Sequence, residues 1–335
     1  MGIVKVLVAE DSRTARAWLR GLLLREGFEV VEVADGRSAV RATATERPDV
    51  VLMDLALPRL SGVEAIAEIM AACPTPIVVL SSHVDAGQVD LSFAALQAGA
   101  LDTLAKPRTA LSSERDAIGR TLVRRLRLMA GAKLVRRLPP PGRTRRPPPS
   151  PSSVDVMVIG ASTGGPAVLY DLLLQLPPPS VPIVIVQHIG AEFAEGFARH
   201  LAGTGQDVVL ATTGALRPGR VVVAPASGSL VFTAPGQIAI RPGWPPKGIL
   251  PSIDATLSSL AVHHGDRAGA MLLTGMGKDG ATGLLAVREA GGACFAQDEV
   301  SCVVFGMPRA AFELGAVDVL HSATELGEIL KASAS

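Results

Sequence analysis

A chain of 335 residues, 48% hydrophobic and 19% charged, has the length for two domains and the apolar content for two cores. With a net charge of +1 it carries no global pull toward nucleic acid or anionic lipid, and three cysteines without a Cys-x-x-Cys pair argue against a disulfide framework or a zinc site. The start, Met1-Gly2-Ile3-Val4-Lys5, lacks a signal-peptide pattern, and no window has the length of unbroken apolar sequence that a membrane span needs. The expectation is a cytoplasmic protein, not inserted in a membrane, in a reducing compartment.

Five apolar runs come first: Ile3–Ala9, Phe28–Val33, Val50–Met53, Ile77–Leu80 and Leu101–Leu104. Helical patterns separate them, beginning with Ser12–Arg25, and another follows the last. Such alternation predicts a parallel sheet covered on both faces, with ligands at the carboxyl ends of its strands. Glu10 and Asp11 follow the first strand, Asp54 the third and Ser81 the fourth, while Lys106 follows the fifth, ahead of Pro107. Hard oxygen donors of this kind suit Mg²⁺. A metal held by Glu10, Asp11 and Asp54, together with Lys106, could neutralise a phosphoryl group transferred to Asp54, with Ser81 bonding one of its oxygens. Taken singly these residues are ordinary: Asp11 has the position of a cap for the helix Ser12–Arg25, and Lys106 that of a surface lysine. Five of them behind four strands are what single the site out.

Between Ala117 and Val154 there is no acidic residue but there are ten basic ones. The stretch Leu138–Ser153 is Pro-, Arg- and Ser-rich, which suits a semi-rigid, solvated linker. It divides the chain into expected domains 1–128 and 154–332, with the linker at 129–153. Without interleaved aromatics or a DNA-binding unit, its charge does not argue for nucleic acid.

The second half is again α/β. Strands are expected at Val154–Ile159, Val181–Gln187, Val208–Leu210, Arg220–Ala224 and Ala268–Leu273, with a hairpin over Leu230–Thr233 and Gln237–Ile240. Helices are expected at Ala167–Leu176, Glu192–Ala202, Ser252–His264, Gly280–Ala290 and Thr324–Ala332. The first of these strands runs into Gly160-Ala161-Ser162-Thr163-Gly164-Gly165, a Gly-x-Ser-x-Gly turn between strand and helix. A nucleotide P-loop would need Gly-Lys-Ser/Thr here, and none follows. A serine nucleophile needs a base and the base an orienting group. His188 ends the next strand, one βα unit later; His200 lies inside a helix, His263 and His264 end another, and His83 belongs to the first half. The candidate carboxylate is Asp279, in the second glycine-rich turn Thr274–Gly280, where it could also cap the helix that follows. The order Ser…His…Asp differs from the α/β-hydrolase order Ser…Asp…His, and spacing alone leaves both open.

The first 128 residues resemble the receiver domain of two-component response regulators, through Ala9-Glu10-Asp11-Ser12, Met53-Asp54 to Gly62, Leu80-Ser81-Ser82 and Ala105-Lys106-Pro107. The second half resembles the catalytic domain of the CheB family of chemotaxis protein-glutamate methylesterases. Its carriers are Ile159–Pro166, Val186-Gln187-His188, Leu250-Pro251-Ser252-Ile253-Asp254, Thr274–Gly280 and Ala296–Glu299 through Ser301–Pro308. The resemblance implies two doubly wound parallel-sheet domains, a receiver-like (βα)5 and a Rossmann-like esterase. It implies Asp54 as phospho-acceptor, Glu10 and Asp11 as Mg²⁺ ligands, Ser162 as nucleophile, His188 as base, Asp279 as its partner, and the Met276 and Thr163 amides as an oxyanion hole. The esterase reaction would need no cofactor. The implied partners are a histidine kinase and a methyl-accepting chemoreceptor whose glutamate methyl esters are hydrolysed and whose glutamines are deamidated, by a monomer whose receiver covers the groove until phosphorylated. Thr103 stands where receivers often carry a switching aromatic, so coupling to output is expected to differ. Ile189-Gly190, Phe193-Ala194 and Ala226–Ser229 depart from the family near the expected groove. The rival reading is a receiver with a degenerate, non-catalytic esterase fold acting as scaffold or phosphate sink; intact Ser162, His188 and Asp279 argue against it.

Overall fold

The computed structural model describes residues 3–81, 86–107, 112–130, 154–245 and 249–333. Ser82, His83, residues 131–153 of the expected linker and the tract Leu138–Ser153 lie outside the described residues. Two compact units, Met1–Leu134 and Val135–Ser335, make up the chain.

The first unit runs β1 (Lys5–Ala9), α1 (Arg13–Arg25), β2 (Glu29–Val33), α2 (Gly36–Glu46), β3 (Val50–Asp54), α3 (Gly62–Ala72), β4 (Ile77–Ser81), α4 (Ala86–Gln97), β5 (Asp102–Ala105) and α5 (Ser112–Met129). The sheet order is β2-β1-β3-β4-β5, every neighbour parallel. β3 and β4 are buried along their whole length, as strands covered on both faces must be. The chain first adds β2 on one side of β1 and then β3 on the other, so a crevice opens at the carboxyl ends of β1 and β3. Glu10 and Asp54 stand there. Asp11 does not cap α1: Ser12 does, its hydroxyl accepting from the Ala15 amide at 3.3 Å. α3 is started by a capping box between Ser61 and Glu64. Gly62 lets that start approach β3, since a Cβ there would lie 2.2 Å from the Asp54 carbonyl oxygen.

The second unit runs β6 (Val156–Ala161), α6 (Gly165–Leu174), β7 (Ile183–Gln187), α7 (Ala194–Ala202), β8 (Asp207–Leu210), β9 (Gly214–Ala215), β10 (Arg220–Val223), β11 (Gly228–Ala234), β12 (Gln237–Pro242), α8 (Ile253–His264), β13 (Ala268–Leu272), α9 (Ala281–Glu289), β14 (Ala293–Gln297), α10 (Met307–Glu313), β15 (Leu320–His321) and α11 (Ala323–Ser333). A parallel sheet of order β15-β14-β13-β6-β7-β10-β8 is built from them. On one side of β6 lie β7, then β10, with β8 at the edge, and β13 to β15 lie on the other, which puts the switch point between β6 and β13. The antiparallel sheet β11-β12-β9 is bonded to α8: Thr256 Oγ1 donates to the Leu230 carbonyl at 2.7 Å, and Ser259 Oγ accepts from the Phe232 amide at 2.9 Å. Leu230, Phe232 and Ile238 share a core with Leu257 and Leu260 of that helix.

Both doubly wound sheets agree with the fold expected from sequence, and element ends differ by about two residues. β14 and β15 were not expected as strands. β14 does carry a short apolar run, Ala293–Ala296, but it follows Gly291-Gly292 and is only half-buried where it begins, while β15 is two residues long and presents no run. Among the described residues no helix is long and apolar enough to cross a membrane.

Candidate active sites

In the first unit, the carboxylates of Glu10, Asp11 and Asp54 converge: one ligand oxygen from each lies within 4.8 Å of the others. Glu10 and Asp54 are buried and Asp11 is exposed. Lys106 follows β5, and its amide donates to the Ser81 carbonyl at 2.9 Å, which continues the β4–β5 ladder past the strand. That register brings its ammonium 2.7 Å from both Glu10 Oε2 and Asp54 Oδ2. Burial pushes the Glu10 carboxyl up, against the opposing pull of Lys106, while Asp54 and Glu10 outweigh burial and hold the Lys106 ammonium above its usual range. Three carboxylates face one ammonium, so the cluster keeps surplus negative charge and oxygen donors, the set that fits a hard divalent cation. Ser81, which ends β4, has a buried hydroxyl with no partner among the described residues. Lys106→Ala would leave Glu10, 1% exposed, and Asp54 without their cation. The expected cost is near the lower end of the roughly 3–5 kcal/mol for breaking a buried pair. An unchanged urea midpoint would contradict this.

In the second unit, Ser162, His188 and Thr274 stand side by side at the switch point. Past the strand ends the ladder continues, with the His188 amide donating to the Ala161 carbonyl at 3.0 Å and the Ser162 amide to the Thr274 carbonyl at 3.0 Å. Ser162 then turns into α6: its carbonyl accepts from the Gly165 amide at 2.8 Å, and Gly164 takes φ 78°. Glycines surround this turn because other groups occupy the space of a side chain. A Cβ on Gly164 would lie 2.6 Å from Val303 Cβ, and one on Gly275 would lie 2.6 Å from Ser162 Cβ. Gly275→Ala must therefore displace the serine. We expect a kcat loss on the order of 10–100-fold, and wild-type turnover would show that the serine position is not critical.

His188 Nε2 lies 2.8 Å from Asp279 Oδ2, with side chains only 6% and 14% exposed. Nδ1 is thus the ring nitrogen not bonded to Asp279. Among the described residues the Ser162 hydroxyl donates no hydrogen bond, and in serine sites of this kind that bond often tightens only with substrate. Asp279 does not cap α9, whose cap residue Gly280 makes no side-chain bond. It caps α8 instead: Oδ2 accepts from the Ile253 amide at 2.8 Å, and Oδ1 from the Asp254 amide at 3.0 Å and the Ser252 hydroxyl at 3.4 Å. Burial pushes the Asp279 carboxyl up, but the His188 bond and charge and these amides outweigh it and hold the group below its usual range. Met276 follows Gly275 in the same turn, and Thr163 follows Ser162 at the start of α6.

Several supporting residues had no assigned role in the sequence. Gln187 Nε2 donates to the carbonyls of Ser162 at 2.8 Å and His188 at 3.1 Å. Thr274 Oγ1 donates to the Thr163 carbonyl at 3.0 Å and accepts from the Val304 amide at 3.0 Å, while the Thr274 amide donates to Gln297 Oε1 at 2.8 Å. The signal was available: an amide side chain ending an apolar strand must find buried partners. Ser229, in a segment that departs from the expected pattern, accepts from the Ser252 amide at 2.9 Å and so supports the cap of α8. Other histidines sit elsewhere: His200 stacks on Tyr170, and His264 Nε2 accepts from the Gly236 amide at 3.2 Å.

The family model described as CheB methylesterase matches residues 157–330, and that of the response regulator receiver domain matches residues 6–113. The chain is 43% identical over 320 residues to protein-glutamate methylesterase/protein-glutamine glutaminase 3 of Myxococcus xanthus, covering 94% of this chain and 89% of that protein. To enzyme 2 of the same description from Anaeromyxobacter dehalogenans it is 42% identical over 334 residues, covering 98% and 96%. The crystal structure of the Thermotoga maritima CheB methylesterase catalytic domain superposes with a TM-score of 0.51 at 35% identity, over 53% of this chain and 98% of that one.

Proposed function

Because this chain belongs to the CheB methylesterase family, we propose that Ser162, His188 and Asp279 hydrolyse glutamate methyl esters on the cytoplasmic helices of a chemoreceptor. The observation that carries the reading is the 2.8 Å contact of His188 Nε2 with Asp279 Oδ2, at the strand end beside Ser162. Ser162 Oγ attacks the ester carbonyl carbon while its proton passes to His188 Nδ1. Asp279 holds the ring and stabilises the imidazolium. The amides of Met276 and Thr163 receive the oxyanion, negative charge that an α6 N-terminus also favours. Collapse breaks the C–O bond, and methanol leaves with the proton from His188. Water, deprotonated by the same ring, then releases the glutamate. Attack on a glutamine amide follows the same course with ammonia as leaving group, which is the glutaminase activity.

The receiver regulates this reaction. A histidine kinase supplies the phosphoryl group to Asp54, and Ser81 and Lys106 contact its oxygens. Glu10, Asp11 and Asp54 would hold Mg²⁺, which neutralises phosphoryl charge during transfer. The proposed setting is the cytoplasm. Methanol release from a methylated chemoreceptor fragment, with ammonia release from its glutamine form, tests the reading. A full chain phosphorylated on Asp54 that liberates neither product sinks it.

A further inference from the structure

The two helices that flank the Ser162 site exchange aspartates. Asp279 lies on the lead-in to α9 yet caps the first amides of α8. Asp254 lies in the first turn of α8 yet accepts from the Gly283 amide in the first turn of α9, at 2.7 Å through Oδ1. Ser252 supplies the remaining cap of α8, accepting from the Ala255 amide at 3.2 Å. Each N-terminus therefore takes its anion from the other helix, and neither α9 nor its lead-in contains a side chain that caps α9 itself. The spacing is tight. A Cβ on Gly283 would lie 2.7 Å from Leu257 Cβ and 3.0 Å from Asp254 Cα, and one on Gly280 would lie 2.6 Å from Ile253 Cγ2.

We infer that Asp254 is a positioning residue of the esterase: by tying the first turn of α9 to α8 it fixes the Thr274–Gly280 turn, and with it Asp279 against His188 and Met276 beside Ser162. This rests on the reading of Ser162, His188 and Asp279 as the acyl-transfer machinery. Asp254 touches no reacting atom. Its effect is exerted through a turn whose other end, Gly275, is packed against Ser162. Burial pushes the Asp254 carboxyl up, with the nearby Asp279 charge adding to the push, so the residue is kept in an electrostatically unfavourable place.

The test is methanol release from a methylated chemoreceptor fragment by the full chain and its variants, each corrected for Ser162 sites that react with a fluorophosphonate. The low-field imidazole N–H proton of His188 is followed by NMR alongside. Asp254→Ala is expected to lower kcat by about 10–100-fold with KM within about twofold, and to shift or broaden that proton. Asp254→Asn keeps an acceptor for the Gly283 amide and is expected to restore kcat to within about threefold of wild type. Asp254→Glu keeps the charge but lengthens the link, and is expected to behave like alanine. If the alanine variant does not fold, the Asn–Glu comparison decides. A glutamate variant as active as wild type, or a folded alanine variant with wild-type kcat and an unmoved His188 proton, overturns the inference. Failure of the underlying reading looks different: the wild type itself releases no methanol, or Ser162→Ala still does.

Discussion

Ser162→Ala and Asp279→Ala are both expected to silence methanol release, and only the second is expected to weaken the fold. The alanine at 162 removes a hydroxyl that donates to nothing among the described residues, so stability should stay within about 0.5 kcal/mol of wild type. Its kcat should fall by about 10⁶-fold, to background, because no other group can form the acyl bond. Asp279→Ala should lower kcat on the order of 10³–10⁴-fold, since His188 loses the group that sets its tautomer and steadies its charge. It also strips the Ile253 and Asp254 amides of their acceptor. A lost cap costs about 0.5–2 kcal/mol and a stranded buried donor about 1–3, so a loss of roughly 2–4 kcal/mol in urea unfolding is expected. The sign with pH follows from the direction of the shift. Asp279 is held below its usual range in the folded state, so its stabilisation is present above the ordinary carboxylate value and fades as pH falls through the lower, folded one. The stability gap between wild type and Asp279→Ala should therefore close in acid. A wild-type urea midpoint for Asp279→Ala at neutral pH would rule out the capping role, and methanol release by Ser162→Ala would rule out the nucleophile.

Which helix Asp279 caps is also where sequence reasoning reached its limit. A residue just before a helical pattern reads as the cap of that helix, because capping is usually local. Here α8 and α9 pack so closely, through Gly283 and Gly280, that the nearest free amides to Asp279 belong to α8. Only tertiary structure creates that pairing. The same holds for Gln187 and Gln297, whose strand-end positions were visible but whose partners on Ser162 and Thr274 were not. By contrast, the placement of Glu10, Asp54, Ser81 and Lys106 needed nothing beyond apolar runs with a residue count, since in a parallel sheet every strand ends on the same edge. Ser162 and His188 were legible for that reason too. Asp11 and Ser12 show how fine the margin is: either could cap α1, and the backbone chose Ser12. β15 could not be read at all, because two residues carry no period.

Asp54→Asn should make esterase activity indifferent to a phosphodonor. For the wild type we expect acetyl phosphate with Mg²⁺ to raise methanol release by roughly 5–150-fold, the usual span of a coupling free energy between two sites. Asparagine keeps the shape of the residue at the end of β3, but its amide cannot take a phosphoryl group. It also withdraws one carboxylate from the cluster with Glu10 and Asp11, so Mg²⁺ should bind less tightly. Phosphorylation of the wild type replaces the single Asp54 charge with roughly −1.5 to −2 and brings three strong acceptors to a place already holding two other carboxylates. That charge would be tolerable because Lys106 stands 2.7 Å from Asp54 and because the buried Ser81 hydroxyl, with no partner among the described residues, would gain one in a phosphoryl oxygen. Ser81→Ala therefore separates two events: Asp54 remains able to accept the phosphoryl group, but the bond that ties it to the end of β4 is gone. Phosphorylation should still be detected by phosphate-affinity gel, while the stimulated rate falls by roughly 10-fold or more, as far as the unstimulated one, since a hydrogen bond to a charged group contributes about 1.5–3 kcal/mol. Full stimulation of Asp54→Asn by acetyl phosphate would place the switch on some other residue, and full stimulation of Ser81→Ala would show that β4 does not carry the signal.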